Sequence, residues 1–334
     1  MSIKNICVFG AGALGGALAA KLAASHGSEI TVSVVARGSH LDAVQRKGLT
    51  LFTAGAEVPV TAQVIATNDP STLPKQDLVI TGLKGHQLGP AAEGMAHLLK
   101  DGTRVLMILN GIPWWYFHRE GSLHAERQFQ ELDPGGKLWK LVGPQRIVGC
   151  VAHQGAEVSQ PGEIRLSNEG HFILGEPSGE LSADLKDIES LFVRSNIGVR
   201  LSQRIRDDIW SKLMGNASFN PISALTRSLM SDLMADDALR TQIGKVMTEV
   251  KAVGEALGAN VGMSVEQRLE QARQIGPVRT SMLQDLLGGK ALEIVPLVGM
   301  VVVLGRVAAV PTPVSETLFA LVSQLDRENC RAGT

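Results

Sequence analysis

The chain has 334 residues, 44% of them hydrophobic and 19% charged, with 32 basic side chains against 33 acidic ones. That length predicts about two domains, and the balance excludes both a disordered chain and a surface built for nucleic acid. Three widely spaced cysteines, Cys7, Cys150 and Cys330, exclude a zinc or disulfide framework and fit a reducing cytoplasm.

The apolar run Ile6 to Phe9 is too short for a secretory leader, so the expected location is cytoplasmic. From there to about Leu201, β-rich runs alternate with helical stretches, as in a parallel sheet with crossover helices. The expected strands are Asn5 to Phe9, Ile30 to Ala36, Leu78 to Thr81, Arg104 to Leu109, Ile147 to Ala156, Glu163 to Leu166, His171 to Leu174 and Val199 to Leu201. Pro161-Gly162 reads as a turn, so the later strands are expected to extend the sheet as antiparallel hairpins.

After Gln203 the apolar residues fall at helical spacing: Ile209 and Leu213, then Ile243, Val246, Met247, Val250 and Val253. Ile294 to Val310 is apolar but carries Pro296, Gly299, Gly305 and Arg306, which predicts a buried helix, core or interface, and no membrane span. The tail from Glu328 to Thr334 is expected to fray. The reading is an α/β chain with a nucleotide-binding domain over residues 1–202 and an all-helical substrate domain over 203–330.

Directly after the first strand stands Gly10-Ala11-Gly12-Ala13-Leu14-Gly15-Gly16, opening a helix of small residues. The first glycine permits a tight turn, the second lets backbone approach a pyrophosphate, and the third lets the helix pack on the sheet, as in a Rossmann-type domain. Where an NAD-binding chain carries an acid after the second strand, this one has Arg37-Gly38-Ser39. An arginine there pairs with a 2′-phosphate and favours NADP(H), unless it is a solvated loop residue. Lys84 and Asn110 each follow a strand, where ligands of such sheets bind; the competing readings are a surface charge and an Asn-Gly turn.

The helical half concentrates polar residues on apolar ground in Trp210-Ser211-Lys212-Leu213-Met214-Gly215-Asn216 and Phe219-Asn220-Pro221. Lys212 and Asn216, four apart, share a helix face, and a lysine among such neighbours suits a general acid if its stem does not merely cover them. Asn220 before Pro221 also reads as a helix cap. Downstream, Ser281 lies in a segment preceding a helix expected to begin near Lys290 and to carry Glu293, whose apolar setting demands a partner: substrate, Lys212, or Lys290.

Taken together, Gly10 to Gly16, Lys84 with Gln87, Leu109-Asn110-Gly111, Pro161-Gly162, Trp210 to Pro221, Ser281 to Asp285, Glu293 and Pro311 to Pro313 resemble the ketopantoate reductase (2-dehydropantoate 2-reductase) family, in order and over nearly the whole chain. The resemblance implies an NADP-dependent oxidoreductase that reduces ketopantoate to pantoate in pantothenate and coenzyme A biosynthesis, with its active site in the cleft between the domains. It implies that Lys212 is the general acid and that Glu293 bonds the substrate. Asn216, Asn220 and Ser281 become substrate binders, Ser281 at the carboxylate end. Gly10, Ala11, Gly12, Ala13, Leu14, Gly15, Arg37, Lys84 and Asn110 become cofactor binders, with no metal required. A small 2-oxo acid is the implied partner and a homodimer the implied assembly, with neither nucleic acid nor membrane bound.

Two features depart from that pattern. Trp114-Trp115-Tyr116-Phe117 and Trp139 form an aromatic segment that either packs on itself or reshapes the substrate pocket, and Val295-Pro296 replace an acid and another residue found in many relatives. The alternatives are therefore a reductase of a different small 2-oxo acid and, more remotely, a non-enzymatic NADP(H) sensor.

Overall fold

The computed structural model describes residues 3–55 and 58–332, and the chain divides into two compact units. The first comprises residues 1–109 and 114–205; the second comprises 110–113 and 206–334.

In the first unit the strands are β1 (Asn5–Phe9), β2 (Thr31–Val35), β3 (Leu49–Phe52), β4 (Val60–Ala62), β5 (Ile65–Thr67), β6 (Leu78–Thr81), β7 (Arg104–Ile108), β8 (Ile147–Ala152), β9 (Ala156–Gln160), β10 (Glu163–Leu166), β11 (His171–Gly175) and β12 (Gly198–Leu201). Its helices are α1 (Ala13–His26), α2 (Gly38–Lys47), α3 (Gly85–Leu98), α4 (Lys137–Leu141) and α5 (Ala183–Arg194). The main sheet runs β12-β11-β8-β7-β6-β1-β2-β5. From β5 to β8 every pairing is parallel, in the 3-2-1-4-5-6 order of doubly wound nucleotide-binding sheets. The antiparallel extension is one strand, β11 on β8; β12 then pairs parallel with β11.

Two corrections to the sequence reading concern the strands. The expected strand from Ile147 to Ala156 breaks after Ala152, and β9 and β10 leave the main sheet for a second one, β4-β3-β10-β9. That sheet packs on α1, which also packs on β1 and β2, so the helix is covered by both sheets. Its glycine- and alanine-rich sequence follows from this: a side chain at Gly16 would stand 2.6 Å from Ile164 Cδ1. A helix apolar all round needs cover all round.

The aromatic segment turns inward. Trp115, Tyr116 and Phe117 are each 1% exposed; Trp114 meets Trp139 edge-on at 6.0 Å, and Phe117 lies 5.6 Å from Phe129. Trp115 occupies the space a side chain at Gly149 of β8 would fill, 2.6 Å from its Cβ position. The rings are thus turned inward, Trp114 and Phe117 on partners within the segment and Trp115 on β8.

The second unit is helical: α6 (Ile205–Thr226), α7 (Met230–Ala235), α8 (Asp237–Ala256), α9 (Val265–Arg273), α10 (Ser281–Leu287), α11 (Met300–Val307) and α12 (Pro313–Ala332). The residues expected at its centre, Ile209, Leu213, Ile243, Val246, Met247, Val250 and Val253, are all buried, and Trp210 of α6 lies flat on Gly254 of α8, 2.8 Å from where a Cβ would stand. Helix α12 continues through the segment expected to fray, held by Glu328 bonds to Gln324 and Arg331; residues 333–334 lie outside the described residues. No helix among the described residues is long and apolar enough to cross a membrane.

The cysteines are free, Cys7 and Cys150 buried and Cys330 exposed. Burial pushes the Cys7 thiol up to about 12 against the weaker opposing bond to Ser33, so it stays protonated at neutral pH. A thiol-reagent titration at pH 8 is therefore expected to find one fast-reacting group, Cys330, and the other two only after denaturation.

Candidate functional site

The glycine turn of the first unit sits where the chain order reverses, beyond the carboxyl ends of β1 and β6. Gly10 has φ +95°, and its carbonyl lies 2.2 Å from a Cβ position at Gly15 and 2.4 Å from one at Gly82, so three backbones meet where no side chain fits. Gly82, to which the sequence reading gave no role, completes this contact; its signal was a glycine directly after a strand. The amides of Gly10 and Ala11 are spent on the carbonyl of Val35, at 3.0 and 3.3 Å. The donors that suit an anion are therefore those of the first turn of α1, including Ala13, Leu14 and Gly15. Gly12 caps that helix without a side-chain bond, and a Cβ there would meet no atom within 4 Å. Unsatisfied amides beside open space fit a pyrophosphate.

Arg37 is exposed at the N-cap of α2, immediately past the end of β2, with the α2 amides behind it. Lys84 caps α3, its backbone N–H donating to Gln87 Oε1 at 3.0 Å.

The remaining candidates all fall in the second unit. On α6, Lys212, Asn216 and Asn220 recur every four residues along one face. Asn220 is 5% exposed in the helix interior with Pro221 after it, so the cap reading is overturned: the helix runs through the proline. Its Nδ2 donates to Ser281 Oγ at 3.4 Å, and Ser281 opens α10, whose cap is Thr280.

Lys212 Nζ donates to Asn110 Oδ1 at 2.8 Å, and Asn110 Nδ2 donates to Glu293 Oε2 at 3.3 Å. Asn110, expected on the cofactor side, is thus also the amide that joins the two candidate catalytic residues. Glu293 does not lie on a helix beginning near Lys290. Gly288 caps α10, Gly289 takes φ +63°, and the chain stays non-helical until a π-turn at Val295–Gly299. The carboxylate thereby reaches back to Asn110.

What fixes Asn110 is its backbone. Gly111 adopts φ +79° and lies so close to Pro296 that a Cβ would stand 2.1 Å from its carbonyl oxygen; that oxygen accepts the Ile112 N–H at 2.9 Å. Pro296, read from the sequence as an interruption of the apolar run and as a departure from the family pattern, is the dock for the Asn-Gly turn. A Gly111→Ala variant is expected to lose about 1–3 kcal/mol through backbone strain alone, with further loss from the collision. Thermal denaturation and turnover should fall together; a variant with wild-type melting and activity would contradict this docking.

A model of the Ketopantoate reductase PanE/ApbA family matches residues 6–179, and a model of that family's C terminal matches residues 204–326. The chain is 43% identical over 321 residues to a 2-dehydropantoate 2-reductase of Mesorhizobium japonicum, spanning 96% of this chain and 97% of that one. It superposes on a crystal structure of 2-dehydropantoate 2-reductase from Geobacter metallireducens with TM-score 0.82 and 26% identity, over 96% and 99% of the two chains. The ternary structure of a D-mandelate dehydrogenase with NADH and anilino(oxo)acetate shares the fold at TM-score 0.82 and 22% identity, over 97% and 99%. With both halves matched and a relative this similar along nearly its full length, the chain belongs to the ketopantoate reductase family of NAD(P)-dependent oxidoreductases.

Proposed function

We propose that this protein reduces the 2-oxo group of ketopantoate to the hydroxyl of pantoate with NADPH, in the cytoplasm, as a step toward pantothenate and coenzyme A. The observation that carries the reading is the bonded series Lys212, Asn110, Glu293. When bound, the nicotinamide supplies a hydride to a carbonyl carbon. The protein's part is to stabilise the negative charge that grows on oxygen and to quench it.

Lys212 can do both, since its ammonium has three protons and one already points at the carbonyl oxygen of Asn110. A substrate carbonyl oxygen placed beside that oxygen meets the same ammonium, which donates first a hydrogen bond and then a proton. Asn110 keeps Nζ aimed, and Glu293, an acceptor when ionised, takes a bond from Asn110 and has capacity left for the new hydroxyl. Asn216, Asn220 and Ser281 then line the path of the substrate's remaining polar groups.

The uncapped first turn of α1 would hold the pyrophosphate, and Arg37 with the amides opening α2 would hold a 2′-phosphate. Lys84 would lie beside the cofactor. The inward packing of the aromatic segment supports ketopantoate over a substrate recast by those rings.

Assayed by NADPH oxidation at 340 nm across a panel of 2-oxo acids, ketopantoate is expected to give the highest kcat/KM. Lys212→Met is expected to lower kcat on the order of 10²–10⁴-fold while NADPH still binds. Near-normal turnover by that variant would sink the assignment. Arg37→Ala is expected to raise the KM for NADPH at least tenfold and leave that for NADH unchanged; an unaltered preference would remove Arg37 from the cofactor site.

A further inference from the structure

Arg268 is a guanidinium with apolar company and no acid. It extends from α9, whose first turn is fixed by a capping box: Ser264 Oγ accepts the Gln267 N–H at 3.1 Å, and Gln267 Oε1 accepts the Ser264 N–H at 2.9 Å. From there the side chain crosses to α6, where its Nη2 stands 2.4 Å from a Cβ position at Gly215 and its Cζ lies 5.6 Å from the centre of the Phe219 ring. Any residue but glycine at 215 would displace it. Phe219 is itself only 1% exposed, so the arginine rests on a rigid platform.

Among the described residues, the Arg268 side chain makes no hydrogen bond and no ion pair. The acids on its own helix are engaged or turned outward: Glu270 pairs with Arg273, and Glu266 is exposed. Burial lowers the Arg268 pKa from its ordinary value, yet the group remains charged at neutral pH. A half-buried cation left without a counter-ion is costly unless a ligand supplies one.

The position says which ligand. At about 100° per residue, the Gly215–Phe219 row borders the row of Lys212 and Asn216 on α6. We propose that Arg268, held on Phe219 over Gly215, receives the carboxylate of the 2-oxo acid whose carbonyl faces Lys212. The fork of a guanidinium matches a carboxylate in two parallel bonds, which orients the acid as well as attracting it. Ser281, implied by family resemblance at the carboxylate end, would then share that group with Arg268. This inference rests on the reading of the site as that of a 2-oxo acid reductase.

The test is calorimetric binding of ketopantoate and of its neutral primary amide to the 334-residue chain loaded with NADP⁺, for the wild type, Arg268→Met and Arg268→Lys. Arg268→Met is expected to raise the Kd of the acid on the order of 10²-fold, leave that of the amide within about twofold, and leave NADPH affinity unchanged. Arg268→Lys, which restores the charge without the fork, is expected to fall between and decides the matter if the methionine variant does not fold. Parallel changes for acid and amide, or no change in either, would overturn the proposal, since a merely structural arginine does not sense the ligand's charge. A loss confined to NADPH affinity would overturn it too, making the anion a cofactor phosphate. Binding of the acid by a wild type that never reduces it would count against the proposed reaction, while the Arg268 comparison would still stand.

Discussion

The chemistry of the second unit hangs on one backbone contact, that of Gly111 and Ile112 with the carbonyl of Pro296. Asn110 is separated in sequence from both Lys212 and Glu293, and its own residues 110–113 are an excursion from the first unit's chain. A side-chain amide holds two partners at once only if its backbone cannot drift, and a positive-φ glycine wedged against a carbonyl gives that rigidity. The same contact explains the π-turn. The Pro296 carbonyl is taken by Ile112, and the Met300 N–H that would bond it in a regular helix goes to Val295 instead, which widens the turn into α11 while Glu293, three residues before Pro296, faces Asn110.

A comparable economy of side chains shapes the first unit. Gly10, Gly15 and Gly82 bring β1, α1 and the end of β6 into backbone contact, which sets the first-turn amides of α1 at the sheet's switch point. The second sheet, packed on α1, then leaves the helix covered by both sheets. Both units thus bring backbones together by removing side chains, at Gly10, Gly15 and Gly82 in one and at Gly111 in the other.

Much of this was legible in the sequence because its signals are local. A glycine turn between a strand and a helix, a lysine and two asparagines at fourfold spacing, and apolar residues at helical period each follow from short-range geometry. Strands β3, β4 and β5 are not legible, being short and half exposed, with β3 and β5 paired to β10 and β2, which are distant in sequence. The apolar run Ile294 to Val310 makes a helix carrying Glu293 the natural reading, and only the dock on Pro296 shows why the chain stays non-helical as far as Val295. Arg268 is not legible because it sits in the charged run Val265 to Arg273, which reads as a solvated face although Phe219 and Gly215 lie beneath it.

The central claim is that Lys212, held by Asn110 against Glu293, meets the reacting oxygen. A crystal structure with NADP⁺ and pantoate tests it most directly. The account predicts the pantoate 2-hydroxyl within about 3 Å of Lys212 Nζ and in hydrogen-bond reach of Glu293. A hydroxyl bonded elsewhere, with the Lys212 to Asn110 bond undisturbed and facing away from the ligand, would contradict it.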